Sequence, residues 1–138
     1  MKKYKSNGVN KKILIIEDDA NLLYSLQAKF SVQGFKIVTD DGLAEEELMG
    51  KIINLKPDFI ILDLILPKID GFAFLKRIKA HADISSIPIF IFSNLSDEDS
   101  RNRGLNFGAD YYLIKSQFSL DEFVTKVVKI IANRTKLA

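Results

Sequence analysis

Residues 57–72 read PDFIILDLILPKIDGF, and within them a single acid, Asp63, interrupts seven apolar residues, Phe59–Leu62 and Leu64–Leu66. A carboxylate taken out of water without a partner is heavily penalised and tends to protonate. Asp63 therefore either lies at the edge of the apolar layer or meets a cation. The run Phe59–Leu62 is continuous rather than alternating, with Pro57 before it and Pro67 and Asp70-Gly71 after it. That is the pattern of a short strand covered on both faces, as in a parallel sheet.

Working outward, the pattern recurs at Ile13–Ile16, Ile87–Phe92 and Tyr111–Ile114, with a weaker run at Phe35–Val38 whose neighbours suggest an outer strand. Helical spacing of apolar residues fills the intervals: Ala20–Val32, Leu43–Leu55, Gly71–Ala82 and Ser119–Asn133, the last clearest with Phe123, Val127, Ile130 and Ile131 on one face. Asp97–Phe107 is polar nearly throughout and carries an internal Gly104. Gly34 after the first helix and Gly108 after the fourth fit helix ends. Strands alternating with helices imply an α/β sheet with right-handed crossovers. We expect one domain over residues 11–134, a flexible basic tail over 1–10 and a C-terminal tail over 135–138.

Composition narrows the chemistry. The 138 residues are 47% hydrophobic and 28% charged, enough for a core and against global disorder. There is no cysteine, so a thiolate metal site, a disulfide and a thiol nucleophile are excluded. The one histidine, His81, leaves no histidine metal cluster and no internal phosphohistidine relay, and it reads as a surface residue after the third helix. No apolar stretch reaches the length of a membrane span, and the lysines of MKKYKSNGVNKK precede only ILII, too short for a signal sequence. A cytoplasmic location is the expectation. The net charge of +2 conceals basic ends: residues 1–12 and 126–138 contain no acid, while the segment between them holds 11 basic and 18 acidic residues. An acidic body is a poor nucleic-acid surface and a plausible site for cations, so no direct DNA binding is expected.

In open parallel sheets ligands bind beyond the carboxyl ends of the strands. The first strand delivers Glu17, Asp18 and Asp19 there, the third Asp63, the fourth Ser93 and the fifth Lys115. Singly these have ordinary readings: Asp19 or Ser93 as a helix cap, Lys115 as a solvated charge. Together they form a coherent site. Clustered carboxylates suit a hard cation such as Mg²⁺, which takes one or two carboxylates with waters and phosphate oxygens. Asp63, partly neutralised by that ion and by Lys115, could then act as a nucleophile toward phosphorus, with the Ser93 hydroxyl and Lys115 on the transferred group.

The stretches KKILIIEDDANLL, PDFIILDLILPKIDGFAFLKRIK, IPIFIFSNLSDED and GADYYLIKS, spanning about residues 11–134, resemble the receiver domain of two-component response regulators, the stand-alone chemotaxis regulators among them. The resemblance implies a flavodoxin-like, doubly wound five-stranded sheet of order 2-1-3-4-5 with five helices. It implies that a sensor histidine kinase or a phosphotransfer protein of a phosphorelay supplies a phosphoryl group to Asp63. Glu17 and Asp18 match the acidic pair that holds Mg²⁺, the Ile65 backbone carbonyl its further protein ligand, Lys115 the site lysine, and Ser93 and Tyr112 the switch pair. The aspartyl phosphate would draw Ser93 inward, the Tyr112 ring would fill the vacated space, and the face made by the fourth helix, fifth strand and fifth helix would rearrange for an unidentified downstream protein or a weak dimer. The chain would not be a turnover enzyme, although it would catalyse its own phosphorylation and dephosphorylation.

Three departures and three rivals accompany that reading. Ser116 follows Lys115 where the family commonly has a cis proline, and a cis bond before a non-proline residue costs about 2.5–4 kcal/mol. Asn94 stands where a smaller residue is usual, and Ile65 and Leu95 place apolar groups beside the phosphate position, which predicts slow water attack. A haloacid-dehalogenase-type phosphatase would need an acid at position 65 and a cap domain. A flavin binder would need a hydroxyl- or glycine-rich loop where Glu17, Asp18 and Asp19 stand. A receiver fold used as a phosphorylation-independent scaffold fits the same residues. The chain ends soon after the last helix, so output is expected by contact, from a stand-alone regulator, a relay intermediate or a piece of a longer protein.

Overall fold

The computed structural model describes residues 10–137; the tail expected over residues 1–10 lies, apart from Asn10, outside them, as does Ala138. The elements run β1 Lys12–Ile16, α1 Ala20–Val32, β2 Lys36–Asp40, α2 Glu45–Leu55, β3 Phe59–Leu62, α3 Gly71–Ala80, β4 Ile89–Ser93, α4 Glu98–Asn106, β5 Tyr111–Ile114 and α5 Leu120–Leu137. All strand pairings are parallel, as the alternation implied, and the order is β2-β1-β3-β4-β5, the doubly wound order that the resemblance implied.

The continuous apolar strands serve two cores at once, because successive side chains point to opposite faces. Leu14, Ile16, Ile60, Leu62, Ile89, Ile91, Tyr112 and Ile114 join Leu48, Ile52, Phe74 and Ile78 of α2 and α3. Ile13, Ile15, Phe59, Ile61, Phe90, Phe92 and Leu113 face Leu26 and Phe30 of α1 and Phe123 and Val127 of α5. Tyr111 and Tyr112 therefore serve opposite faces, as alternation predicts. On the second face Phe92 stacks on Phe123 with ring centroids 3.7 Å apart.

The differences from the predicted boundaries have local causes. Helix α2 starts at Glu45 rather than Leu43, and Leu43 is 50% exposed. Strand β4 starts at Ile89, after Pro88, whose missing N–H cannot join a ladder. Helix α3 ends at Ala80 with His81 as its half-buried C-cap, the His81 Nδ1 accepting from the Asp83 amide at 3.2 Å. Helix α5 continues past Asn133 to Leu137. Phe35 precedes β2 instead of opening it, its ring edge-on to Phe30.

Helix α4 is held by little apolar burial. Its buried residues are Ser100 and Gly104, and Leu105 is 40% exposed. Its other attachment is cationic: the Arg103 guanidinium lies 4.1 Å from the Phe72 ring centroid, and Lys76 Nζ lies 4.8 Å from that of Phe107. Phe72 stands one residue into α3 and Lys76 one turn further on, so this cluster joins α4 to the start of α3. Among the described residues, no helix is long and apolar enough to cross a membrane.

Candidate phosphoacceptor site

Strand register builds the site. Ile16 pairs with Leu62, so Glu17 and Asp63 are the next residues out of two adjacent strands. The Asp63 amide donates to the Ile16 carbonyl at 3.1 Å, and the Glu17 amide to the Asp40 carbonyl at 3.0 Å. Both carboxyl residues are buried, Glu17 at 3% and Asp63 at 5% exposure. Ser93 ends β4, paired with Ile114, and Lys115 follows directly in a 3₁₀ turn over Lys115–Gln117. The Lys115–Ser116 peptide is trans.

Lys115 is the cation that the stranded acid required. Its ammonium lies 2.9 Å from Asp63 Oδ2 and 2.8 Å from Glu17 Oε1. The other Asp63 oxygen, Oδ1, accepts from the Ile65 amide at 3.0 Å, and Glu17 Oε2 accepts from the Asp19 amide at 3.0 Å. Burial pushes the Glu17 carboxyl above its ordinary pKa against the pull of Lys115 and the Asp19 amide. Burial pulls the Lys115 ammonium down, but the hydrogen bonds to Glu17 and Asp63 together outweigh it and the net shift is upward.

Asp18 completes an acidic cluster. Glu17, Asp18 and Asp63 each offer a carboxylate oxygen within 4.8 Å of the others, with Asp18 exposed and the other two buried. Three carboxylates face one ammonium, an excess of negative charge that favours a cation, and an all-oxygen set with an open side fits an ion that keeps several waters. Mg²⁺ is such an ion. Asp19, next in line, does what its alternative reading predicted: Oδ1 accepts from the Asn21 and Leu22 amides and caps α1.

On the other flank Ser93 is fully buried, and its hydroxyl accepts from the Leu95 amide at 3.4 Å. The Tyr112 hydroxyl donates to the Leu95 carbonyl at 2.7 Å, with the ring buried against the α2–α3 face of the sheet. Burial pushes that hydroxyl's pKa up, aided by the charges of Asp97 and Asp63. Ile65 is 53% exposed, Leu95 half-buried and Asn94 exposed beside the site. The Leu95 carbonyl as the anchor of Tyr112 had no signal in the sequence, since a backbone oxygen leaves none.

The path out of β3 depends on one close approach. A Cβ on Gly71 would fall 2.4 Å from the Leu64 carbonyl oxygen and 2.5 Å from its Cα, so only glycine lets α3 begin against the chain it follows. Asp70 caps that helix through Oδ1, and Ile65 forms an isolated antiparallel bridge with Asp70. The loop after Asp63 is thereby closed on itself.

Comparison with known proteins agrees with the geometry. Residues 13–128 match the response regulator receiver domain family. The alkaline phosphatase synthesis transcriptional regulatory protein PhoP of Bacillus subtilis is 35% identical over 131 residues, 94% of this chain and 52% of that protein. The transcriptional regulatory protein PrrA of Mycobacterium tuberculosis is 32% identical over 128 residues, 92% of this chain and 52% of that protein. Among solved structures, a two-component response regulator from Clostridium difficile superposes with a TM-score of 0.79 at 32% identity, covering 91% of this chain and 98% of that one. The chemotaxis response regulator CheY4 of Vibrio cholerae, at 20% identity, shares the fold with a TM-score of 0.78 over 89% of this chain and 99% of its own. The chain is a receiver domain of two-component systems and belongs to the response regulator receiver family. It spans about half the length of the curated relatives it matches.

Proposed function

We propose that Asp63 takes a phosphoryl group from a sensor histidine kinase or a phosphotransfer protein, and that the aspartyl phosphate changes the face formed by α4, β5 and α5. The reading rests on one observation above the others: Lys115 bridges two buried carboxylates at the ends of adjacent strands. A lysine so placed neutralises Asp63 before transfer and meets the phosphoryl oxygens after it.

In the transfer an Asp63 oxygen attacks phosphorus as the phosphorus–nitrogen bond of the donor phosphohistidine breaks, and the imidazole leaves with that electron pair and takes up a proton. Glu17, Asp18 and Asp63, with the Ile65 carbonyl as a further oxygen, are the residues that would hold Mg²⁺, which supplies charge neutralisation for the phosphoryl oxygens. Lys115 then turns from the Asp63 oxygen to the phosphoryl group, and the Ser93 hydroxyl donates to another of its oxygens. Ser93 and Tyr112 hold the backbone of one residue, Leu95, the first at its amide and the second at its carbonyl, so a shift of one changes the hold of the other.

Output follows by contact with another protein or with another part of a longer chain, in the cytoplasm, where histidine kinases present their donor. The test is incubation with Mg²⁺ and a small acyl phosphate or phosphoramidate, then intact mass. One phosphoryl adduct on the parent chain, lost in Asp63→Asn, is the expected result. Absence of an adduct with every donor would instead make the fold a phosphorylation-independent scaffold.

A further inference from the structure

Gly104 lies in the interior of α4, where glycine weakens a helix relative to alanine through the backbone freedom it loses. Its side of the helix is buried and faces β5. A Cβ there would stand 2.9 Å from Tyr112 Cε2 and 3.0 Å from Cδ2, closer than packed carbon atoms come. From that ring the connection runs on without a gap. The Tyr112 hydroxyl donates to the Leu95 carbonyl at 2.7 Å, and the Leu95 amide points to the Ser93 hydroxyl at 3.4 Å.

We propose that Gly104 is a positioning residue for the phosphoacceptor site: its missing side chain is the seat for the Tyr112 ring, and the seated ring holds the Leu95 carbonyl, and through the backbone of that one residue the Leu95 amide that bonds the Ser93 hydroxyl. This rests on the proposed phosphoacceptor role of Asp63 and adds to it the residue that sets where the aromatic partner of Ser93 comes to rest. Two effects of Gly104→Ala oppose each other, and their opposition makes the claim sharp. Helix propensity alone makes alanine stabilising. Contact with Tyr112 makes it displace the ring, because the ring turns about its χ1 more readily than the β5 backbone shifts. Helix α4 has few apolar anchors, yet Arg103 on the Phe72 ring limits its retreat.

The experiment uses the full chain with isotope-labelled tyrosine, the Tyr112 ring signals being assigned by their loss in Tyr112→Phe. In Gly104→Ala those ring signals should move toward solvent-exposed values without any phosphodonor present. The rate of phosphoryl loading from a small acyl phosphate with Mg²⁺ should fall by roughly threefold, the scale of coupling that packed side-chain contacts carry. In a Tyr112→Ala background the same Gly104→Ala change should leave the loading rate unaltered and raise the melting temperature, since only the propensity effect survives. Unmoved Tyr112 signals, or an equal fall in loading with and without the Tyr112 ring, would overturn the inference. If the parent chain takes no phosphoryl group, the phosphoacceptor reading fails by itself, and the ring signals still decide whether Gly104 seats Tyr112.

Discussion

The Lys115 ammonium lies 2.9 Å from the Asp63 carboxylate, and its second contact, at 2.8 Å, is Glu17. One cation thus serves two buried acids, and a bound metal ion would take over part of its work. Removing one partner of a buried pair leaves the other charge uncompensated and is destabilising. Lys115 keeps 18% of its side chain exposed, so the loss in Lys115→Met should be below the fully buried range, about 1–3 kcal/mol by urea unfolding without metal. Millimolar Mg²⁺ should then raise the melting temperature of the variant more than that of the parent. Equal shifts in both proteins would show that the ammonium and the ion act independently. Phosphoryl loading should fall about a hundredfold, the effect of deleting one preorganised donor to a developing charge.

Gly71→Ala tests the closed loop after Asp63. The added methyl group meets backbone, the Leu64 carbonyl oxygen at 2.4 Å, and has no flexible neighbour to push aside. Overpacking of this kind costs about 1–3 kcal/mol, against a helix-propensity gain below about 1 kcal/mol. The variant should be less stable in urea than the parent. Because the strained segment carries Ile65, whose amide holds Asp63 Oδ1, its Mg²⁺ affinity, read by calorimetry, should fall as well. Greater stability than the parent would mean that α3 can back away from Leu64.

Much of this architecture is written plainly in the chain, and the physical reason is double burial. Ile13–Ile16 and Phe59–Leu62 must satisfy cores on both faces, so their apolar character is unbroken and their ends are sharp. Glu17, Asp63, Ser93 and Lys115 stand out because each follows such a run directly. Signals faded where one residue has two roles. Leu43 has the spacing of α2 but is exposed ahead of it, and Ile87 is buried although Pro88 keeps it out of the ladder. The Lys115–Glu17 contact depends on the register of the strands together, and the Tyr112 ring on Gly104 depends on a rotamer. Neither is a property of any local stretch.

Helix α4 offers a measurable long-range pair. The Arg103 guanidinium sits 4.1 Å over the Phe72 ring, and Phe72 meets Phe107 edge-on with centroids 6.2 Å apart. Exposed cation–π contacts contribute about 0.5–1 kcal/mol and desolvated ones about 2. A double-mutant cycle with Arg103→Leu and Phe72→Leu should return a coupling of about 1 kcal/mol in urea unfolding. Amide exchange in α4 should quicken in Arg103→Leu while that of β1 and β3 stays at the parent rate. A coupling of zero would mean that Arg103 rests on Phe72 without holding α4.

The start of α4 should respond to acid. Asp97 caps it, Oδ2 accepting from the Ser100 amide at 3.0 Å, and this bond, with the Ser100 side chain and the charge of Arg103, holds the Asp97 carboxyl below its ordinary 3.8. A group whose pKa is depressed by folding contributes stability above its unfolded value and loses it as pH falls through the folded one. The Asp97 contribution is therefore complete above about 3.8 and fades below it. Exchange of the Ser100 and Arg101 amides, corrected for intrinsic rates, should accelerate as pH drops below that point. In Asp97→Asn, where the cap cannot titrate, the added acceleration should be absent.

Ile65 and Leu95 bear on how long a phosphate on Asp63 would last. Ile65 is 53% exposed directly after the loop leaves β3, and Leu95 is half-buried with its carbonyl taken by Tyr112. Neither can accept a proton from water or align it by hydrogen bonding, whereas a positioned carboxylate or amide contributes to proton transfer and to orientation. Ile65→Asn with Leu95→Glu supplies an amide and a carboxylate at those two places without touching Glu17, Asp63, Ser93 or Lys115. Phosphate loss from the loaded double variant, followed by intact mass after the donor is removed, should be about tenfold faster than from the parent, or about 1.4 kcal/mol of barrier. Single variants should divide that gain, and since the Leu95 contact to Tyr112 is made by backbone, the substitution there leaves the ring anchored. If the parent loses phosphate at least as fast as the double variant, the apolar pair does not protect the bond and access is controlled elsewhere, with the exposed Asn94 the next residue to replace.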